Sequence, residues 1–188
     1  MSNKILLLNG SPRLKGNTAV LSEQLAAGAR EHGANIEIIY LHGLDIQACD
    51  ACDGCQSGGK GCVIGDDMQE IYPKLISADA VVIATPVYWY SMTAQMKLCI
   101  DRWYALESGE DFKLRGKKLS LLMVYGDSDL YTSGGINVIH ILEGNCRYVG
   151  MDFDGIVHGS AMEIGDAEKD PVLMDQAYQL GKKLAQFS

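Results

Sequence analysis

The chain has 188 residues, 47% of them hydrophobic and 21% charged, with a net charge of −8 at pH 7. A chain of that length buries a core without staples, no apolar run approaches a bilayer span, and the acidic balance argues against nucleic acid or a membrane as partner. Met1 runs straight into a strand with no leader-like segment, so a cytoplasmic protein of one domain over residues 1–188 is expected. Its six cysteines then read as thiols or ligands rather than disulfides.

Lys4–Leu8 is predicted as a buried strand, and Thr18 to about His32 as a helix with Leu21, Leu25 and Ala29 on one face. Asn17 is expected to cap that helix and Gly33 to end it. Between the two lies Asn9-Gly10-Ser11-Pro12-Arg13-Leu14-Lys15-Gly16-Asn17-Thr18. A strand that turns sharply into a helix leaves N–H groups pointing outward, and with the helix dipole these make an anion site. Ser11, Asn17 and Thr18 add hydrogen-bonding groups, while Arg13 and Lys15 add positive charge. Neither GxxxxGK[ST] nor GxGxxG is present, which leaves a loop suited to a single phosphate. The same composition also serves an ordinary polar turn.

A second strand is predicted over Asn35–Leu41, followed by a long loop rich in cysteine and glycine. The second helix should start at Asp66 with Gln69 in capping-box spacing, and carry Met68, Ile71, Tyr72, Leu75 and Ile76 inward. Ala78–Thr85 is apolar on both faces, as a central parallel strand requires. After the turn Pro86–Ser91, a third helix presents Met96, Cys99, Ile100 and Trp103 to the core, while Lys97, Asp101 and Arg102 suit helix-face ion pairs. Glu107–Lys118 reads as a solvated segment, Leu119–Tyr125 as strand, Gly126–Gly135 as a long turn and Ile136–Val149 as helix. Phe153–His158 is the last strand, and Asp170-Pro171 opens a helix that buries Leu173, Ala177, Leu180 and Leu184.

Strands alternating with helices five times predict a doubly wound α/β domain with a parallel sheet. In such sheets ligands sit at the carboxyl ends of the strands. The loops at 9–18, 42–65, 86–91 and 126–135 all fall on that edge. Pro86-Val87-Tyr88-Trp89-Tyr90 would wall a flat apolar ligand there, or serve a subunit contact, since Tyr and Trp suit both.

Gly10-Ser11-Pro12-Arg13 with Gly16-Asn17-Thr18, Cys62-Val63-Ile64 with Asp66-Asp67-Met68, Thr85-Pro86-Val87-Tyr88-Trp89, and Gln95-Met96-Lys97 with Ile100-Asp101-Arg102 together resemble the NADPH-dependent FMN reductase and iron–sulfur flavoprotein families. The likeness is strong from Lys4 to Arg102 and weaker beyond. It implies a flavodoxin-like sheet in the order 2-1-3-4-5, FMN as cofactor and NAD(P)H as electron donor. By that resemblance the FMN phosphate lies on Ser11, Arg13, Asn17 and Thr18. The ring lies against Pro86, Val87, Tyr88 and Trp89, with Gly126 and Asp127 on a third loop, near the interface of a homodimer or homotetramer. Cys99 replaces a large aromatic residue, and the 125–135 loop is longer and richer in Tyr and Asp than the family pattern.

Cys49, Cys52 and Cys55, spaced by two residues and followed by Cys62, could wrap and close a [4Fe–4S] cluster. Structural zinc sites more often come as two separated pairs. Iron–sulfur flavoproteins resemble the chain in this spacing, but flavin-only relatives also retain some of these thiols, and Asp50 and Asp53 oppose an anionic site. The expected function is an FMN-dependent NAD(P)H oxidoreductase that passes electrons to a small acceptor such as a quinone, nitro compound or flavin. The alternatives are an iron–sulfur electron-transfer protein acting between protein partners, and a non-catalytic redox or metal sensor on the same fold.

Overall fold

The computed structural model describes residues 2–57, 61–108 and 111–187. Strands β1 (Lys4–Asn9), β2 (Asn35–Tyr40), β3 (Ala80–Pro86), β4 (Lys118–Tyr125) and β5 (Asp152–Ser160) form one parallel sheet in the order 2-1-3-4-5. Between and after them run α1 (Asn17–Glu31), α2 (Met68–Ser77), α3 (Ala94–Asp101), α4 (Gly135–Val149) and α5 (Pro171–Ala185). The expected flavodoxin-like arrangement is therefore present.

The strand pattern explains the layers. Ile5 and Leu7 pack with α1 and α5, whereas Leu6 and Leu8, one residue out of phase, pack with α2, α3 and α4. β3 repeats the division, with Ala80 and Val82 on one side and Val81 and Ile83 on the other. Each fully buried side chain of this size contributes roughly 1.5–3 kcal/mol. A strand apolar on both faces is thereby committed to the middle of the sheet. α1 and α5 approach so closely that a Cβ on Gly28 would lie 2.2 Å from the Tyr178 carbonyl oxygen, and one on Gly181 2.0 Å from that of Leu25.

The chain goes outward from β1 to β2 and then crosses to the other side of β1 to form β3. That reversal opens the sheet edge between the carboxyl ends of β1 and β3, where the loops 10–16 and 87–93 meet. α5 begins as expected: Asp170 Oδ1 accepts from the N–H groups of Val172 and Leu173, with Pro171 in the first turn. Gly33 ends α1 with φ +88°.

Several local expectations need correction. Gly16, not Asn17, precedes α1, and Asn17 is its first residue. The Asp66–Gln69 capping box does not form, because Gln69 donates to the carbonyls of Cys62 and Ile64. Ile76 is exposed. Glu107–Lys118, which follows a 3-10 turn over Arg102–Leu106, is not simply solvated: Glu107 pairs with Phe112 across a short antiparallel contact, and Leu114 is fully buried.

Candidate functional site

At the switch point a cleft of about 550 Å³ opens. Its size falls within the roughly 300–1,000 Å³ usual for cofactor-sized ligands. Of the residues expected to hold the cofactor, Ser11, Arg13, Asn17, Thr18, Pro86, Val87, Tyr88, Trp89 and Gly126 line it. Lys15 does not, and faces an outer groove with Leu14 and Glu23. Asp127 also falls outside the cleft and lines a smaller hollow beside it.

The first loop is built from the inside out. Asn9 is fully buried; its Oδ1 accepts from Ser11 N–H at 2.9 Å and its Nδ2 donates to Ser22 Oγ at 3.1 Å. Ser11 Oγ in turn accepts from Arg13 N–H at 3.2 Å. Among the described residues the first-turn N–H groups of Asn17 and Thr18 meet no acceptor, and no side chain caps the helix. They are the free donors that an anion site at a helix start requires. Thr93, the N-cap of α3, ties this loop to the next: its Oγ1 donates to the Gly10 carbonyl at 2.8 Å. A Cβ on Gly10 would sit 2.7 Å from that same Oγ1 and 2.9 Å from Met96 Cβ, so the approach depends on glycine.

Asn17 does something its sequence context did not announce. Its Nδ2 donates to the carbonyls of Ala161 and Glu163 at 3.1 and 2.8 Å. Its Oδ1 accepts from the N–H groups of Gly165 and Ala167 at 3.0 and 3.3 Å. Four hydrogen bonds saturate the side chain and hold Ala161, Met162 and Glu163 as a further wall of the cleft. Sequence reading missed this wall because the contact spans the whole chain.

The opposite end carries the aromatic turn. Tyr88 and Ser91 exchange backbone hydrogen bonds of 2.8 and 3.1 Å around Trp89 and Tyr90. Both central residues have positive φ, +50° and +65°. Left-handed backbone at a bulky residue costs roughly 1–3 kcal/mol and persists only where neighbours impose it. Here Asn137 Nδ2 donates to the Tyr90 carbonyl at 3.0 Å, and Gly134 lies so close that a Cβ there would meet Tyr90 at 2.5 Å. The result is a Trp89 side chain 95% exposed at the mouth of the cleft. On the cleft's floor Tyr125 meets His158, hydroxyl to Nδ1, at 2.9 Å.

The cysteine loop is a separate place. Cys49 and Cys52 are exposed, Cys55 and Cys62 half-buried, and Cys99 and Cys146 buried, the last two with thiols pushed up to about 12 by burial. Among the described residues no three Cys, His, Asp or Glu side chains converge on a metal-sized site. As placed, the four thiols form no single-ion site, and thiolate is the ligand chemistry that a [4Fe–4S] cluster would require.

Behind the loop stands a residue expected on a helix face. Arg102 is 1% exposed and grips Asp66 through both terminal guanidinium nitrogens, at 2.5 and 3.2 Å. It also donates to the Gln47 carbonyl at 2.9 Å and to Cys62 Sγ at 3.1 Å. Burial raises the Asp66 carboxyl, but Arg102 and the N–H groups of Gln47 and Met68 outweigh it and hold the group below the ordinary value. Cys62 follows the same logic: burial opposes ionisation, while the N–H of Ile64 and Arg102 bring the thiol below its usual range. Cys52 moves the other way, raised by its hydrogen bond to Asp50.

Residues 3–151 match the NADPH-dependent FMN reductase family. The chain is 33% identical to an iron–sulfur flavoprotein of Methanocaldococcus jannaschii, covering 97% of this chain and 96% of that one. It is 31% identical to a Bacillus subtilis protein provisionally named an NAD(P)H-dependent FMN-containing oxidoreductase, over 96% and 97% of the two. Its fold superposes on an NAD(P)H:quinone oxidoreductase of Methanothermobacter marburgensis with a TM-score of 0.77 at 18% identity, over 100% and 98% of the chains. With a doubly wound sheet, an uncapped helix start and an aromatic wall meeting at one switch point, the chain belongs to the NADPH-dependent FMN reductase family of flavodoxin-like oxidoreductases.

Proposed function

We propose that the cleft binds FMN with its phosphate at the start of α1 and its ring against Pro86–Trp89, and that the protein passes electrons from NAD(P)H to a small acceptor such as a quinone or nitro compound. One observation carries this reading: a single cleft joins unpartnered helix-start N–H groups at one end to an aromatic turn at the other. Its two ends match a ligand that is anionic at one tip and flat and apolar at the other. Ser11, Arg13 and Thr18 supply the polar cradle; the Asn17 side chain, already saturated, positions Met162 and Glu163 and offers only its backbone N–H.

When bound, FMN supplies the two-electron chemistry, and the protein binds and orients it. Thr93 and Asn9 hold the cradle in shape; Asn137 and Gly134 hold the aromatic turn. No side chain is assigned as a general acid or base. The exposed Tyr88, Trp89 and Tyr90 at the mouth suit a contact with a second copy, so a homodimer or homotetramer is part of the proposal. Among the described residues no helix is long and apolar enough to cross a membrane, and a cytoplasmic site of action accords with this.

The test is anaerobic titration of the purified protein with NADH and NADPH while following the flavin bands. Bleaching by either, with recovery on adding a quinone, is the expected result. A bound flavin that neither nicotinamide reduces ends the enzymatic reading. A second reading, a [4Fe–4S] cluster on Cys49, Cys52, Cys55 and Cys62 in an electron-transfer protein, draws on their spacing and on the iron–sulfur flavoprotein relatives. Iron and acid-labile sulfide in anaerobically purified protein decide it.

A further inference from the structure

A second hollow, of about 210 Å³, opens directly off the cleft and shares Val87, Trp89, Tyr125 and Gly126 with it. Its remaining walls are Tyr90 of the aromatic turn and, from the turn that is long and rich in Tyr and Asp in this sequence, Asp127, Thr132 and Ser133. We propose that this hollow is the subsite for the electron acceptor, and that it selects flat aromatic acceptors bearing a cationic or N–H-donating arm. This rests on FMN occupying the main cleft.

Three features support the assignment. The hollow is preformed: Asn137 and Gly134 lock the aromatic turn onto the 126–134 loop, so the two walls do not separate independently. One wall is the indole of Trp89, a large apolar plate that no other described residue of the same copy covers, so the proposed second copy at the mouth would border the hollow. Asp127 is the sole charged residue lining the hollow among the described residues. The neighbouring Asp129 is spent on its own loop, accepting from the N–H groups of Tyr131 and Thr132 and from the hydroxyls of Ser128 and Thr132. Among the described residues Asp127 bonds only the adjacent Ser128 N–H, through one carboxylate oxygen, which leaves its other oxygen for a ligand. Arg13 and Glu163 put charge of both signs in the main cleft, whereas Asp127 alone sets the sign in the hollow among the described residues. An anion is favoured near α1 and a cation near Asp127, and an aromatic body fits against Trp89 and Tyr90.

Calorimetry on the FMN-loaded protein with two unreactive probes tests this: (1-naphthylmethyl)trimethylammonium and 1-naphthylmethanesulfonate. The cation is expected to bind about tenfold more tightly at low salt, and the margin to shrink as salt is added. D127N should bring the two within about twofold, and W89A should weaken both together. Quinones carrying the same arms should follow the same order in kcat/KM. Equal affinities in the unaltered protein, or a preference that survives D127N, overturn the proposal. So does a D127N protein that sheds FMN with the order unchanged, because Asp127 then serves the cofactor. Protein that FMN does not titrate removes both this proposal and the function above. FMN-loaded protein that nicotinamides do not reduce removes the oxidoreductase reading alone and leaves the calorimetric result to stand by itself.

Discussion

The switch-point cleft and the cysteine loop lie at the carboxyl ends of neighbouring strands, yet they are held in different ways. The cleft is tied across at every wall: Thr93 to Gly10, Asn17 to the 161–167 segment, Asn137 to Tyr90. The cysteine loop is gripped from behind at Arg102, which reaches Asp66, Gln47 and Cys62, while Cys49 and Cys52 stay exposed. A cavity braced on all sides can accept a ligand without reordering, and so keeps more of its binding energy. Thiols that do not converge must be gathered by whatever they bind, and the ordering cost falls on that ligand. The difference predicts two kinds of mutational response.

The largest effect should come from the anchor. Replacing Arg102 with Ala leaves Asp66 buried without its partner, and breaking a buried pair in this way costs about 3–5 kcal/mol. Chemical unfolding of R102A should show that loss, and limited proteolysis should cut the 42–65 loop faster. The pair also sets an acid limit. Because the Asp66 carboxyl is depressed in the folded chain, its contribution is present above the ordinary carboxylate range and fades as pH falls through the folded value. Unfolding midpoints measured from pH 6 down to about 3 should therefore drop more steeply in the unaltered protein than in D66N. Parallel curves would show that Asp66 does not carry the acid sensitivity.

Smaller losses are expected in the cleft, and they should appear first in cofactor retention. G10A forces a Cβ against Thr93 and Met96, an overpacking that costs about 1–3 kcal/mol and pushes the first loop off α3. N17A strands two carbonyls and two N–H groups of the 161–167 segment, for a similar loss of about 1–3 kcal/mol. Both variants should release FMN on dilution more readily than the parent, followed by flavin fluorescence. An N17A protein that holds FMN unchanged would mean the Met162–Glu163 wall is dispensable.

The contrast between the two regions also marks what a single sequence discloses. Strand interiors such as Ala80–Ala84 and the loops that follow them were legible, because burial on both faces leaves a period-free apolar run and the switch point follows from strand order. Ser11, Arg13 and Thr18 were legible because the strand-to-helix turn that exposes them is local. Arg102 was not. Its spacing from Lys97 and Asp101 suits an exposed helix face, and Lys97 and Asp101 do pair there at 2.5 Å. The chain leaves α3 at that point and turns into a 3-10 segment, which swings Arg102 inward toward Asp66. The double duty of Asn17 was hidden for a related reason: a cap is a local pattern, whereas its real partners lie some 150 residues away.

The smallest predicted effect separates thiols within the cysteine loop itself. Cys62 is held toward thiolate by the N–H of Ile64 and by Arg102 despite burial, whereas the hydrogen bond to Asp50 pushes the Cys52 thiol up. In metal-free, reduced protein, peptide-resolved alkylation by iodoacetamide across pH should turn on at lower pH for Cys62 than for Cys52, although Cys52 is the more exposed. D50N should lower the Cys52 midpoint and raise its rate severalfold at neutral pH, with Cys62 unmoved. A common midpoint for both thiols would sink the idea that Arg102 prepares one of them. If the order holds, the loop offers a metal or an oxidant one thiol that ionises more readily and is fixed in place. Its outer thiols must lose their protons, and find their positions, only as the ligand arrives.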